Sequence, residues 1–319
     1  MKKVILIISV LLTSCTGMQI TEEDTSLNER AKNLFKPLKM VENLSKEQVA
    51  LGKKLYFETA LSSNGTISCN SCHKLDNFGV DNEATSLGHN GKRGGRNSPT
   101  SLNSHLNFVQ FWDGRAKDLA DQAKGPILNP VEHGVKDAKE AMEKINTSEY
   151  AALFKKAFPK DKKPMTWDNL AIAIGEFEKT LTTPSRFDDY LNGEITALNQ
   201  QERKGLQTFI EIGCTSCHLG EGLGGTMYQK LGLVKDYPTK DTGRHEVTGK
   251  RRDKFKFKVP GLRNITKTPP YFHDGSIKKL DKAIELMAEH QIGKVLTKEE
   301  VSNISAFLSS LEAKAPVKY

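Results

Sequence analysis

The sequence predicts a mainly α-helical protein of two tandem units, and three observations predict it. The chain has 319 residues, enough for two domains of ordinary size. It carries two well-separated Cys-x-x-Cys-His motifs, Cys69-Asn70-Ser71-Cys72-His73 and Cys214-Thr215-Ser216-Cys217-His218. Each motif is preceded and later followed by stretches whose apolar residues recur at helical spacing.

At the N-terminus, Met1-Lys2-Lys3 is basic, Val4 to Leu12 is apolar, and Thr13-Ser14-Cys15 follows. That is the pattern of a secretory signal, too short to span a bilayer. Residues 1–15 are expected to be a lipoprotein-type signal peptide, with Cys15 the lipidated first residue of the mature chain. This places the protein in the periplasm, held at a membrane surface by its lipid. Residues 16–30, polar and without apolar periodicity, are expected to be a tether outside the fold.

The first unit, expected over residues 31–182, begins with Leu44-Ser45-Lys46-Glu47 and a helix burying Val49, Leu51, Leu55 and Tyr56. It closes with a second amphipathic helix carrying Trp167, Leu170, Ile174, Phe177 and Leu181. The second unit, residues 183–319, repeats the plan. Leu198-Asn199-Gln200-Gln201 leads a helix with Leu206, Phe209 and Ile210, and Val301, Ile304, Phe307, Leu308 and Leu311 stripe the closing one. Thr297 with Glu300 gives that helix a capping-box start, and Thr166 with Asn169 a weaker one. The boundary falls near Thr182-Thr183-Pro184-Ser185. Between motif and closing helix, chain rich in Gly, Asn, Pro and Ser predicts long irregular loops.

An exported chain would normally pair its cysteines, but here four of the five lie in the two motifs and the fifth is Cys15. In Cys-x-x-Cys-His the thiols form thioethers to haem vinyl groups and the His supplies the proximal nitrogen to iron. The sequence thus implies two covalent c-type haems, held by Cys69, Cys72 and His73, and by Cys214, Cys217 and His218. A zinc or redox site explains neither the trailing His twice nor the export signal. The formal charge of +8 includes Lys2 and Lys3, which leave with the signal, and omits the haem propionates. No basic stripe interleaves with aromatics, so no nucleic-acid partner is expected.

The sixth iron ligand separates a carrier from a catalyst, because only an open position can bind an oxidant. Spacing alone leaves Met227, Met287, His245, His273 and His290 in the second unit. In the first it leaves His89, His105, His133, Met142 and Met165.

Further residues narrow the choice. Gly88-His89, Arg96-Asn97-Ser98-Pro99-Thr100, Phe111-Trp112-Asp113-Gly114-Arg115 and Gln122-Ala123-x-Gly125-Pro126-x-x-Asn129-Pro130-x-Glu132 lie in the first unit. Phe257-Lys258-Val259-Pro260-x-Leu262-Arg263-Asn264 and Tyr271-Phe272-His273-Asp274-Gly275 lie in the second. With both motifs in order, these runs resemble the bacterial di-haem cytochrome c peroxidases from about Lys36 onward. The resemblance implies two cytochrome c-like domains, each wrapping one haem, and reduction of hydrogen peroxide by a small cytochrome c or cupredoxin. It makes the first haem peroxidatic, with His89 a removable ligand and Glu132 and Gln122 facing the peroxide. It makes the second haem the electron-entry site, with His218 and Met287 as axial ligands and Trp112 on the path between haems. It further implies a calcium ion held by Asn97 and the carbonyls of Thr268 and Pro270, activation by reduction of one haem, and a homodimer.

Chemistry supports Glu132 independently, since peroxide cleavage needs a group that takes a proton from one oxygen and returns it to the other. One residue departs from the family pattern: His133 stands where a methionine usually follows the glutamate, and a titratable imidazole there is expected to shift the pH optimum. Two other functions fit the motifs, a non-catalytic di-haem electron carrier and a related enzyme oxidising residues of a partner protein. Glu132 with Gln122 disfavours the first, and Met287 the second.

Overall fold

A computed structural model describes residues 20–314, and the chain is mainly helical. The signal segment and Cys15 lie outside the described residues. Among the described residues no helix is long and apolar enough to cross a membrane.

The expected tether is overturned over most of its length. Helix α1 spans Glu22–Leu34, opened by a capping box in which Thr21 and Asp24 exchange hydrogen bonds. Leu27, Ala31 and the following Phe35 pack with Phe187, Tyr190 and Leu198. The buried stripe includes Asn28, whose Nδ2 donates to the Tyr190 carbonyl at 2.6 Å, and Arg203 Nε reaches Asp24 Oδ1 at 2.6 Å. The stripe is narrow and partly polar, so apolar periodicity does not reveal it. Residues 22–35 pack with the second half of the chain, which also moves the start of the first unit beyond the expected residue 31.

Helix α2, Lys46–Tyr56, delivers the chain to α3, Cys69–Cys72. Helices α4 (Leu119–Leu128), α5 (Ala138–Lys144) and α6 (Ser148–Ala157) follow a long irregular stretch, and α7, Trp167–Lys179, packs across α2. After α8 (Arg186–Leu191), α9 (Gln200–Ile212) leads to the second motif. Irregular chain then holds a short antiparallel pair, β1 (Tyr228–Lys230) and β2 (Lys256–Lys258), around α10 (His245–Thr248). Helices α11 (Leu280–Met287) and α12 (Lys298–Ser309) finish the fold, and α12 packs across α9.

The two crossings have one design. A Cβ on Gly52 of α2 would meet the Ala173 carbonyl oxygen at 1.8 Å and Phe177 Cβ at 2.9 Å. On Gly205 of α9 it would meet the Asn303 carbonyl oxygen at 1.8 Å and Phe307 Cβ at 2.9 Å. Only glycine lets these backbones approach so closely. Beside each glycine an aromatic pair seals the contact, Tyr56 with Phe177 and Phe209 with Phe307, both with ring centroids 5.3 Å apart.

The halves meet through matched polar groups. Asn103 Nδ2 and Asn264 Nδ2 both donate to Thr183 Oγ1, at 2.7 and 2.9 Å. Arg96 contacts Asp113 from its own half and Asp241 and Glu246 from the other.

Candidate active site

The second motif opens onto a cavity of about 340 Å³. Gly213, at φ 98°, ends α9 and turns the chain into Cys214. Cys214, Cys217 and His218 line one part of the cavity, Met287 another, and Trp112 reaches in from the first half. His218 Nδ1 lies 3.0 Å from the Leu223 carbonyl, so it donates there and leaves Nε2 for a metal. Burial lowers the His218 pKa, which favours the neutral, ligating imidazole.

Among the sixth-ligand candidates of this half, only Met287 and His273 line the cavity. His273 Nε2 is engaged by Thr239 Oγ1 at 3.2 Å. The Met287 thioether is thus the candidate sixth ligand in the cavity that His218 lines. It sits where α11 passes into a π-helical turn, Ala288–Ile292, an irregularity that recurs at functional sites. Two thiols, an imidazole with a free nitrogen, a thioether and apolar walls fit a covalently attached haem.

In the first half, α3 presents Cys69 and Cys72, and His73 caps it with its main-chain N–H bonded to the Cys69 carbonyl at 3.0 Å. The Tyr56 hydroxyl donates to the His73 carbonyl at 2.7 Å, and the buried His73 Nδ1 has no hydrogen-bond partner among the described residues. His89 lies on a loop closed by the Leu87–Arg93 bridge. Its main chain donates to the Glu132 carbonyl at 2.9 Å, and its Nε2 lies 3.2 Å from the Pro130 carbonyl. Met142 and Met165 pack against the apolar core, which removes them as ligands.

Glu132 follows α4 on a turn braced by Asn129, whose Oδ1 accepts from the Val131 N–H at 2.9 Å. Asn129 Nδ2 donates to Glu132 Oε1 at 2.6 Å. Burial raises the Glu132 pKa against the opposing pull of Arg115 and Asn129. Its charge acts weakly on both Cys69 and Cys72, so it lies within electrostatic reach of the first motif. Gln122, half-buried on α4, makes no side-chain hydrogen bond among the described residues. His133 is buried, with Nδ1 2.8 Å from the Leu61 carbonyl, and burial lowers its pKa. It therefore does not face solvent, and it favours the neutral form.

Trp112 Nε1 donates to the Asn97 carbonyl at 2.9 Å, and the Trp112 carbonyl accepts from the Lys258 N–H at 2.7 Å. The ring is thereby fixed between the halves. Asn97, Thr268 and Pro270 border the same cavity. Asn97 Nδ2 donates to the Glu83 carbonyl at 3.0 Å, which leaves its Oδ1 for a cation.

Two buried charged groups escaped the sequence reading. Glu178 lies in the apolar stripe of α7; burial raises its pKa to about 8, and its Oε2 has no partner. Lys258 is 6% exposed on β2. A charged residue beside a strongly apolar one was the only signal for either.

Two Cys-x-x-Cys-His motifs in a helical chain, one opening onto a cavity that a thioether also lines and one within reach of a perturbed carboxyl, are the features of a c-type cytochrome equipped for catalysis. Residues 46–196 match the family model described as di-haem cytochrome c peroxidase. The chain is 44% identical to the cytochrome c551 peroxidase of Pseudomonas aeruginosa, over 97% of this chain and 92% of that one. It is 47% identical to the cytochrome c551 peroxidase of Nitrosomonas europaea, over 90% and 86%. A crystal structure of a MauG-like protein associated with microbial copper homeostasis superposes with a TM-score of 0.79 at 28% identity, covering 88% of this chain and 94% of that one. The chain belongs to the di-haem cytochrome c peroxidase family.

Proposed function

We propose that this protein reduces hydrogen peroxide to water, using two protons and two electrons taken singly from a small cytochrome c or cupredoxin. Two tandem cytochrome c-like domains meeting near Thr183 each wrap one covalent haem c, with α1 packed on the second. The observation that carries this reading is Glu132, a carboxyl raised by burial and fixed by Asn129 beside the first motif.

When bound, the haems supply the iron at which peroxide is reduced and the path by which electrons cross the molecule. Asn129 occupies Glu132 Oε1, so Oε2 takes the proton from one peroxide oxygen and returns it to the departing one. A raised pKa suits a group that must both accept and give a proton near neutrality. Gln122 orients the peroxide through its uncommitted amide. His89 would be the removable ligand of the first iron. It is bonded to the loop that carries Glu132, so a movement of His89 would also move the acid.

His218 and Met287 hold the second iron, where electrons enter. Leu233, Val234 and Val295 are exposed, and Leu233 also borders the cavity, which suits docking of a small donor. Trp112 lies on the electron path. A calcium ion takes Asn97 Oδ1 and the carbonyls of Thr268 and Pro270. The protein works in the periplasm as a homodimer, anchored through a lipid on Cys15.

Steady-state peroxide consumption with reduced small cytochromes and cupredoxins, with and without prior reduction of one haem, tests the reading. Turnover that rises after one-electron reduction is expected. A protein with both irons six-coordinate in every redox state and no turnover is a carrier, and the proposal fails. The optical spectrum of Met287→Ala should lose the signature of a His/Met haem.

A further inference from the structure

Lys258 is 6% exposed, yet its ammonium makes no hydrogen bond or ion pair with any described residue. Burial alone lowers its pKa to about 8, with no neighbouring charge acting either way. A buried ammonium without an anion is costly, so a protein that keeps one has an anion to place against it.

Its position says which anion. Lys258 borders the large cavity of the second motif and also a smaller one of about 60 Å³ at the junction between the halves. Pro99, Thr100, Pro260 and Gly261 border both cavities, so Lys258 stands in the wall that they share. Its main chain is fixed to Trp112, the aromatic between the two halves. A haem attached at Cys214 and Cys217 brings carboxylates of its own into the large cavity.

We infer that Lys258 binds a propionate carboxylate of the second haem at the junction of the two halves, and so sets that haem's affinity for its electron. The inference rests on the reading of two covalent haems. A fixed positive charge there favours the ferrous state, which carries one positive charge fewer, and raises the midpoint potential.

The test uses the holoprotein, with haem counted per chain by mass and by the alkaline pyridine spectrum before any titration. Optical potentiometry of the two haems in Lys258→Met should show the second haem's midpoint potential fall, with a smaller change in the first, and Lys258→Arg should recover most of it. Where Lys258→Met takes up less haem than the wild type, Lys258→Gln, neutral and of similar reach, is measured in its place. Unchanged potentials in a fully loaded neutral variant overturn the inference, because a lysine that only packs its stem would behave so. Exchanging chloride for sulfate at fixed ionic strength should leave the wild-type potentials unmoved. A shift would mean that a free anion, not the haem carboxylate, occupies the site. Fewer than two haems in the wild-type chain would instead sink the underlying reading.

Discussion

At the scale of single residues, Glu132 and Glu178 behave differently because one has side-chain partners and the other makes no hydrogen bond among the described residues. Glu132 is half-buried, held by Asn129 and opposed by Arg115, so its proton is exchangeable. Glu132→Gln keeps the shape and the Asn129 contact region but removes the titratable group. Peroxide turnover should fall by roughly 10²–10⁴-fold while the optical spectra of both haems persist. Glu178 has an unpartnered Oε2 and a pKa raised by burial to about 8. An acid raised on folding holds its proton in the native state while the unfolded chain has lost it. Stability therefore declines as pH climbs from the ordinary carboxylate range towards 8, and levels off above. Glu178→Gln should abolish that decline, so the unfolding free energies of variant and parent, measured by denaturant titration, should separate with rising pH, by on the order of a few kcal/mol at pH 8. His133, bonded to the Leu61 carbonyl and favouring its neutral form, is better suited to bracing the Glu132 turn than to lending it charge.

At the scale of elements, the clearest design is the glycine crossing that occurs twice. Alanine at Gly52 or Gly205 drives a methyl into a carbonyl oxygen 1.8 Å away on the partner helix. Each substitution should cost about 1–3 kcal/mol or more, measured by urea unfolding, and should loosen its own half first. Gly205→Ala should disturb the haem of the second motif, and Gly52→Ala that of the first. This pairing shows what sequence can reveal. The stripes of α2, α7, α9 and α12 are continuous and apolar; Thr166 and Thr297 cap α7 and α12 as their spacing predicts, and Ser45 and Asn199 cap α2 and α9 as well. Helix α1 was hidden because its buried face mixes Leu27 and Ala31 with Asn28, whose amide is satisfied by a carbonyl 162 residues away in the chain. The irregular loops were hidden for a related reason. Phe111 and Phe272 adopt φ of 66° and 71°, conformations uncommon for aromatic residues and set by tertiary contacts. The candidate site was legible where chemistry constrains residue type, as at the two motifs, and illegible at Glu178 and Lys258, where burial alone makes the residue unusual.

At the scale of the whole molecule, the question is how reduction of one haem can be felt at the other. Arg96 is the best-placed link. It precedes Asn97, whose carbonyl holds Trp112, and its guanidinium joins Asp113 of one half to Asp241 and Glu246 of the other. These carboxylates hold its own pKa well above the ordinary arginine value. Asp113 has a second cation, Arg115, whereas among the described residues Asp241 has besides Arg96 only His273, 3.8 Å away and held towards neutrality by burial. Replacing Arg96 by Met therefore strands Asp241 more than Asp113, and the loss falls on the junction rather than on either helical core. Stability should drop by about 3 kcal/mol at most, because the carboxylates retain some solvent. The informative effect is on coupling. In the parent, one-electron reduction should change the spectrum of the first haem and speed peroxide turnover. In Arg96→Met each haem should still reduce, but reduction of the second should no longer raise turnover at the first. If the variant activates as the parent does, the signal does not pass through Arg96, and other polar contacts between the halves, such as that of Thr183 with Asn103 and Asn264 or of the Lys258 N–H with the Trp112 carbonyl, carry it instead.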